Sequence, residues 1–131
     1  MHNYCEFMLN GEKIMKSDNV IVDKSMDFSI RIVKLYKFLT ENKREYVLSK
    51  QILRSGTSIG ANVKEGVRGQ SKADFISKMA IALKEASETE YWLELLYKTD
   101  YLNENQYNSI NSDCEELIKI LMSIVKTSNH K

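Results

Sequence analysis

Apolar residues recur along most of the chain at steps of three and four positions, the spacing of one face of an α-helix. The first such series predicts a helix over residues 26–41 that contributes Phe28, Ile32, Leu35 and Leu39 to a core. Ser25 precedes it and is a favourable N-cap. Asn42, followed three positions later by Glu45, resembles a capping box and predicts that a second helix begins after a short turn.

The second predicted helix covers residues 45–67 and contains two glycines. Its apolar stripe consists of Leu48, Ile52, Ile59 and Val63. Gly56 and Gly60 lie between these positions, and glycine costs about 1 kcal/mol against alanine inside a helix. A loop over Ser55–Gly60 is the alternative, but the stripe continues in register across both glycines. We therefore favour a helix that a neighbour approaches closely, with its C-terminal end marked by Gly66 and Gly69.

The third predicted helix begins at Ser71, which with Asp74 three positions later forms a second capping pair. This helix has two apolar stripes. Its inner seam follows a heptad-like spacing through Ile76, Met79, Leu83, Ala86, Glu90, Leu93 and Tyr97. On the opposite side lie Ile81, Trp92 and Leu95, which we call the outer stripe. A helix in a monomeric bundle needs one stripe, so the second predicts an interface.

The fourth predicted helix opens with Asn103 and Gln106 as a capping pair. Its apolar stripe consists of Tyr107, Ile110, Cys114, Leu117, Leu121 and Ile124. Four helices joined by short turns predict an all-α fold, an up-down-up-down antiparallel four-helix bundle. We assign residues 1–24 to a flexible N-terminal arm, 25–127 to the bundle domain and 128–131 to a C-terminal tail.

Composition agrees with a helical protein. The chain has 131 residues, no proline and a formal net charge of +1. No apolar run reaches the length of a membrane span, the N-terminus lacks a signal-peptide pattern, and Cys5 and Cys114 form no disulfide framework. These features predict a cytoplasmic protein that does not enter a membrane.

Charge is distributed unevenly. Residues 50–84 contain seven Lys or Arg against two acids, whereas residues 85–116 contain nine acids against one Lys. Such asymmetry favours self-association or binding of a polyanion at the basic end. The candidate nucleic-acid contacts are Lys64, Arg68 and Lys72, with a solvated surface as the alternative interpretation.

Nothing in the sequence demands a reaction. The histidines, His2 and His130, lie near the two ends of the chain, so a di-iron carboxylate site or a His-activated nucleophile is not expected. Glu90 on the inner seam is either a proton-transfer group or, as we favour, a member of a buried pair or a carboxylate at the bundle edge. We predict a protein that is not an enzyme and has no cofactor, metal or catalytic residue.

The outer stripe suggests how copies of the chain would meet. Acids flank it on the third helix, while the second helix presents Arg54 and neighbouring polar residues. We expect these two surfaces to meet between subunits and to close a homo-oligomeric ring. The candidate interface residues are Arg54, Ser58, Asn62, Ile81, Glu85, Glu88, Trp92 and Leu95.

The chain contains two characteristic runs, QILRSGTSIGANVKEG and SKADFISKMAIALKEASETEYWLELL. Both resemble the 23S ribosomal RNA intervening-sequence proteins, and the similarity covers residues 26–126. The resemblance implies a cytoplasmic four-helix bundle that forms a homo-oligomer, typically a pentamer. It implies no settled activity, and it suggests association with structured RNA or another nucleic acid by analogy. A protein-binding scaffold or accessory subunit without a nucleic-acid role is the alternative.

Overall fold

The structure, a computed structural model, describes residues 16–129, with side chains described for residues 20–127. It contains four α-helices, which are α1 (Lys16–Glu41), α2 (Leu48–Val67), α3 (Lys72–Lys98) and α4 (Glu104–Asn129). Each helix packs against the next along the chain, and α4 returns to contact α1. The predicted all-α, up-and-down four-helix bundle is confirmed.

All four helices contribute to one apolar core. Its largest fully buried side chains include Ile21, Phe28, Ile32, Leu39, Ile52, Ile59, Met79, Leu93, Leu96, Leu117 and Leu121. The predicted stripes of the first, second and fourth helices all lie here, with Leu48 and Tyr107 at the margin. Among the described residues, no helix combines the length and the apolar character that a membrane crossing requires.

The first helix is longer than predicted. It begins at Lys16, so Ser25 is an interior residue rather than an N-cap, and its hydroxyl donates to the carbonyl of Val22 at 3.1 Å. Ile21 is fully buried because it extends the stripe of Phe28 by two further steps of helical spacing. Residues 16–24 of the expected flexible arm are therefore helical, while residues 1–15 lie outside the described part.

The turn from α1 to α2 is built differently from the predicted capping box. Arg44 adopts φ 54°, and the carboxylate of Glu45 accepts hydrogen bonds from the backbone N–H groups of Val47, Leu48 and Ser49 at 2.7–3.1 Å. Glu45 thus satisfies three donors that the first turn of α2 would leave unpaired. Consequently α2 begins at Leu48 and not at residue 45.

The other two capping predictions are confirmed. The Ser71 hydroxyl accepts from the N–H of Asp74 at 3.0 Å, and α3 follows at once. Asn103 and Gln106 exchange hydrogen bonds of 2.8 and 2.9 Å at the start of α4. At the far end α4 continues to Asn129, so the helix includes the first two residues of the expected tail.

The glycines of α2 permit close helix packing, as predicted, and the neighbour is α1. A Cβ atom added at Gly56 would lie 2.7 Å from Cγ1 of Ile32, and one at Gly60 would lie 3.2 Å from the hydroxyl oxygen of Ser29. The helix is continuous through both positions, so the alternative of a loop over Ser55–Gly60 is wrong.

The core-facing side of α3 is rotated from the predicted seam. Met79, Ala86 and Leu93 are buried as expected, but the other positions that complete the buried line are Ala82, Thr89 and Leu96. The predicted members Ile76, Leu83, Glu90 and Tyr97 are only half-buried. Thr89 faces α2, where its hydroxyl lies 2.8 Å from that of Ser55, a contact that hydrophobicity alone does not reveal.

Candidate functional site

The candidate interface residues are centred on a charged network between α2 and α3. Arg54 of α2 donates from Nη1 to Oε1 of Glu85 at 3.1 Å and from Nη2 to Oε2 of Glu88. The indole Nε1 of Trp92 donates to the same Glu88 oxygen at 3.1 Å. We call these four residues the Arg54 network.

The Arg54 network corrects the expected arrangement of charges. Arg54 and the two acids were expected on separate surfaces that meet between subunits, but they lie on one surface of one chain. The reason is the rotation of α3, which turns Glu85 and Glu88 towards α2. The hydrogen bond with Glu88 raises the pKa of Arg54, and the bonds from Arg54 and then Trp92 lower the pKa of Glu88.

The remaining polar candidates follow α2 along the same surface. The hydroxyl of Ser58 donates to the carbonyl of Arg54 at 2.6 Å, and Nδ2 of Asn62 donates to the carbonyl of Ser58 at 2.8 Å. Both side chains are half-buried and bond to their own helix. They therefore offer a small, polar surface beside the network.

The outer stripe lies at the surface of the chain, next to α2. Ile81 is 38% exposed, and Trp92 and Leu95 are half-buried. Tyr91, which is 59% exposed, packs edge-to-face on Trp92 with ring centroids 5.1 Å apart. The surface combines aliphatic and aromatic side chains with an indole that is already hydrogen-bonded, a composition typical of protein interfaces.

The nucleic-acid candidates meet at one end of the bundle. Lys64 is in the last turn of α2, Arg68 is its C-cap residue, and Lys72 is the first residue of α3. Arg68 and Lys72 are exposed and Lys64 is half-buried. The neighbouring Glu65 is paired with Lys78 at 3.0 Å. We call Lys64, Arg68 and Lys72 the basic turn.

A second group of acids lies where α3 faces α4. Glu90 is half-buried near Glu94 and Glu115, which we call together the acidic seam. Burial, followed by the charges of Glu115 and Glu94, raises the pKa of Glu90. Burial and the acids of the seam also raise the pKa of Tyr107, whose ring stacks on Tyr97 at 4.6 Å. Glu90 is thus a carboxylate at the bundle edge, one of the two structural alternatives that the sequence left open.

Cys114 belongs to α4, and its thiol lies against the side of α3 that faces α4. It is fully buried and donates to the carbonyl of Ala86 at 3.4 Å. Burial, with smaller effects of Glu90, Glu115 and Asp113, raises its pKa to about 12. At neutral pH the thiol stays protonated and is a poor nucleophile. Within the described residues, no group of three or more His, Cys, Asp or Glu is arranged to hold a metal ion.

One apolar surface was missed from the sequence. Met26, Ile30 and Val33 on α1 are 51%, 48% and 38% exposed and share one side of the helix, which we call the α1 stripe. Their steps of four and three residues were the available signal. The stripe was overlooked because it runs beside the stronger buried series that starts at Phe28.

Comparison with known proteins places the chain in a family. The sequence model of the 23S rRNA-intervening sequence protein matches residues 17–123. A solved structure from Bacteroides thetaiotaomicron, described as a protein of unknown function from the S23 ribosomal protein family, is 62% identical. The match covers 84% of this chain and 98% of that chain with a TM-score of 0.83. A comparison with curated proteins gave no match. The chain belongs to the family of 23S rRNA-intervening sequence proteins.

Proposed function

We propose that this protein is a non-enzymatic helical bundle that assembles with copies of itself into a ring. The observation that carries the proposal is the outer stripe. α3 already buries one face in the core, yet it exposes Ile81 and Tyr91 and leaves Trp92 and Leu95 only half-buried. Exposed apolar side chains of this kind, on one helix side around paired charges, are typical of a protein interface. The resemblance to the family favours five subunits.

The polar surroundings of the stripe support association rather than exposure to water. The Arg54 network has satisfied its strongest donors and acceptors within the chain. Removing water from a surface whose charges are already paired costs less free energy than removing it from a surface with isolated charges. A second copy can therefore cover Ile81 and Trp92 without stranding Glu88 or Arg54.

Multi-angle light scattering at micromolar concentration tests the proposal. The chain has a mass of 15.2 kDa, and we expect the wild-type protein to have several times that mass. Trp92→Asp should give a smaller, folded species because it places a charge in the outer stripe. Ile81→Asp is a second variant at a more exposed position. Met122→Asp is the matched control, since Met122 is 54% exposed on α4, away from the stripe. A wild-type mass near that of one chain would overturn the proposal.

Association with structured RNA is a second candidate function, favoured by the basic turn. The fold brings Lys64, Arg68 and Lys72 to one end of the bundle, where α2 ends and α3 begins. The description of the matching family also names an intervening sequence of ribosomal RNA. Clustered cations of this kind can bind phosphates and release counterions.

Titration of a labelled, structured RNA at several salt concentrations tests this second function. Changing Lys64, Arg68 and Lys72 to Glu should abolish binding and keep the helical circular dichroism. In single variants, removing one cation that binds a phosphate should lower the log–log salt slope by about one. A triple change of Lys37, Lys43 and Lys119 to Glu is the control for net charge. No affinity of the wild-type protein at low salt would favour a scaffold without a nucleic-acid role.

A further inference from the structure

The α1 stripe is a second apolar surface, separate from the outer stripe. Met26, Ile30 and Val33 expose between 38% and 51% of their surface, although all three are large and apolar. Single exposed residues of this kind are common, but three on one helix side form a continuous patch. No described side chain of the same protein covers it.

The contacts of α1 fix the direction in which the stripe points. Ser25 and Ser29 are the residues that approach Gly60 of α2. Met26 and Ile30 each follow one of these serines by one position, so they are turned about 100° further around the helix. On the opposite side of α1, Arg31 donates to Asp113 of α4 at 2.7 Å. The stripe therefore faces outward from the bundle, with Met26 and Val33 closer to the α2 side of α1 than to its α4 side.

The two stripes flank α2 on its two sides. The outer stripe on α3 also borders α2, because Glu85 and Glu88, on the same side of α3, pair with Arg54. The α1 stripe thus adjoins the α1–α2 face of the bundle, and the outer stripe belongs to the α2–α3 face. Adjacent faces of a four-helix bundle are turned by about 90° from each other.

The occupant that fits this arrangement is a second copy of the chain. A symmetric dimer would cover one stripe twice and leave the other exposed, whereas a head-to-tail contact covers both in every subunit. The stripes also differ in a complementary way. The α1 stripe is formed by flexible and branched aliphatic side chains, and the outer stripe presents the indole of Trp92 with the ring of Tyr91 packed against it.

The angle between the stripes is compatible with closure. A closed ring of four subunits requires contact surfaces about 90° apart, and a ring of five requires about 108°. This inference rests on the proposed self-assembly and adds to it the identity of the second contact surface. We propose that the α1 stripe of one subunit packs against the outer stripe of the next.

Single substitutions test whether the α1 stripe takes part. Ile30→Glu should weaken assembly by roughly 10- to 100-fold in dissociation constant, the range of a central interface residue. Because Ile30 is 48% exposed, the change should leave the fold intact, which circular dichroism verifies. Met26→Lys serves as an independent variant if Ile30→Glu fails to fold. Met122→Glu, at a comparably exposed apolar position on α4, should assemble like the wild-type protein.

Mixing two defective variants tests the head-to-tail arrangement. Ile30→Glu retains an intact outer stripe, and Trp92→Asp retains an intact α1 stripe. Alone, each should be monomeric at micromolar concentration. Mixed in equal amounts, they should form a heterodimer that cannot grow further, with twice the mass of one chain.

The outcomes separate this inference from the proposed function. A monomeric wild-type protein would overturn both the proposed self-assembly and the role of the α1 stripe. A wild-type oligomer that Ile30→Glu does not weaken leaves self-assembly intact and overturns the role of the α1 stripe. If the mixture remains monomeric, or if Trp92→Asp alone pairs through its α1 stripes, the head-to-tail contact is wrong.

Discussion

The two sides of α3 place the same type of residue in opposite electrostatic conditions. Towards α2, Glu88 accepts hydrogen bonds from Arg54 and from the indole of Trp92, which lower its pKa. Towards α4, Glu90 meets Glu94 and Glu115 and loses solvent, which raises its pKa. Two positions along a helix correspond to a rotation of about 200°, so carboxylates two residues apart meet different neighbours.

The difference shows that the two contacts of α3 are specified by different interactions. The α2–α3 contact uses paired polar groups, including the fully buried hydroxyls of Ser55 and Thr89, which are 2.8 Å apart. The α3–α4 contact uses ring stacking and burial, and Oδ1 of Asn111 is buried there without a hydrogen-bond partner in the described part of the chain. Substitutions in the α2–α3 contact should therefore change stability and reactivity differently from substitutions in the α3–α4 contact.

The largest effect is expected for the reactivity of Cys114 on the α4 side. In a Cys5→Ser background, we expect a maleimide at pH 8 to label Cys114 about 10³-fold more slowly than in the unfolded chain. The thiol has a pKa of about 12 instead of about 8.5, which lowers the thiolate fraction by that order. Quenched labelling reactions analysed by mass spectrometry measure the rates in the folded and the unfolded chain.

Ser112 provides the control for Cys114, because it is exposed on the same helix. Ser112→Cys in a chain with Cys114→Ala should be labelled rapidly in the folded protein. Labelling of Cys114 at a similar rate would mean that the α3–α4 contact opens readily.

The next largest effect is expected for Thr89 on the α2 side. Thr89→Val keeps the shape of the side chain but removes the hydrogen-bond partner of the buried hydroxyl of Ser55. We expect the free energy of unfolding to fall by about 1–3 kcal/mol, the cost of an unsatisfied buried group. Urea denaturation measures the change. The double variant Ser55→Ala/Thr89→Val should recover part of the loss, and no recovery would contradict the role of the pair.

A smaller and opposite effect is expected for Glu90. Glu90→Gln removes a charge that is disfavoured by burial and by two neighbouring acids, so we expect a small gain in the free energy of unfolding at pH 7. Thermal melts at low salt measure the change. Glu94→Gln is the control, since Glu94 is exposed and should change stability less. A loss of stability in Glu90→Gln would show that the carboxylate makes a favourable contact.

The smallest effect is expected for Glu88, and its pH dependence should oppose that of Glu90. Because the folded pKa of Glu88 is lowered, its contribution to stability is present above about pH 4.5 and is lost as pH falls. Glu88→Gln should therefore cost about 0.2–1 kcal/mol at pH 7 and progressively less towards pH 4, since the ion pair is partly exposed.

For Glu90 the folded pKa is raised, so its contribution is largest below about pH 4.5 and declines as pH rises through the folded pKa. The advantage of Glu90→Gln over the wild-type protein should thus grow from pH 4 to pH 7. Melting temperatures of both variants across this range measure the two trends. Parallel trends would contradict the contrast between the two sides of α3.

The fold was predictable because local signals agreed with one another. Heptad-like spacing predicted the stripes of Phe28, Ile52 and Ile110, and the caps at Ser71 and Asn103 predicted where α3 and α4 begin. The start of α1 was missed because Ser25 is also a favourable cap residue. Its hydroxyl instead bonds back to Val22, and nothing in a local pattern distinguishes these two uses of serine.

The candidate site was predictable only in part. The outer stripe was identified because Ile81, Trp92 and Leu95 repeat at helical spacing on a helix that already had a core face. The partners of Arg54 were not predicted correctly, since charge alone does not say whether Arg54 pairs with Glu85 and Glu88 of its own chain or of another copy. The α1 stripe could be identified only from the exposure of its side chains in the folded chain, because Met26 and Ile30 fit a buried helix equally well.

The sequence by itself determined that four amphipathic helices form, where most of them end, and that two glycines permit close packing. These features depend on neighbours within one or two turns, which the sequence states directly. Tertiary structure decided the rotation of α3, and with it the burial of Thr89 in place of Glu90 and the pairing of Arg54. Rotation depends on which helix supplies small residues and hydrogen-bond partners across the contact, and those residues are distant in the chain.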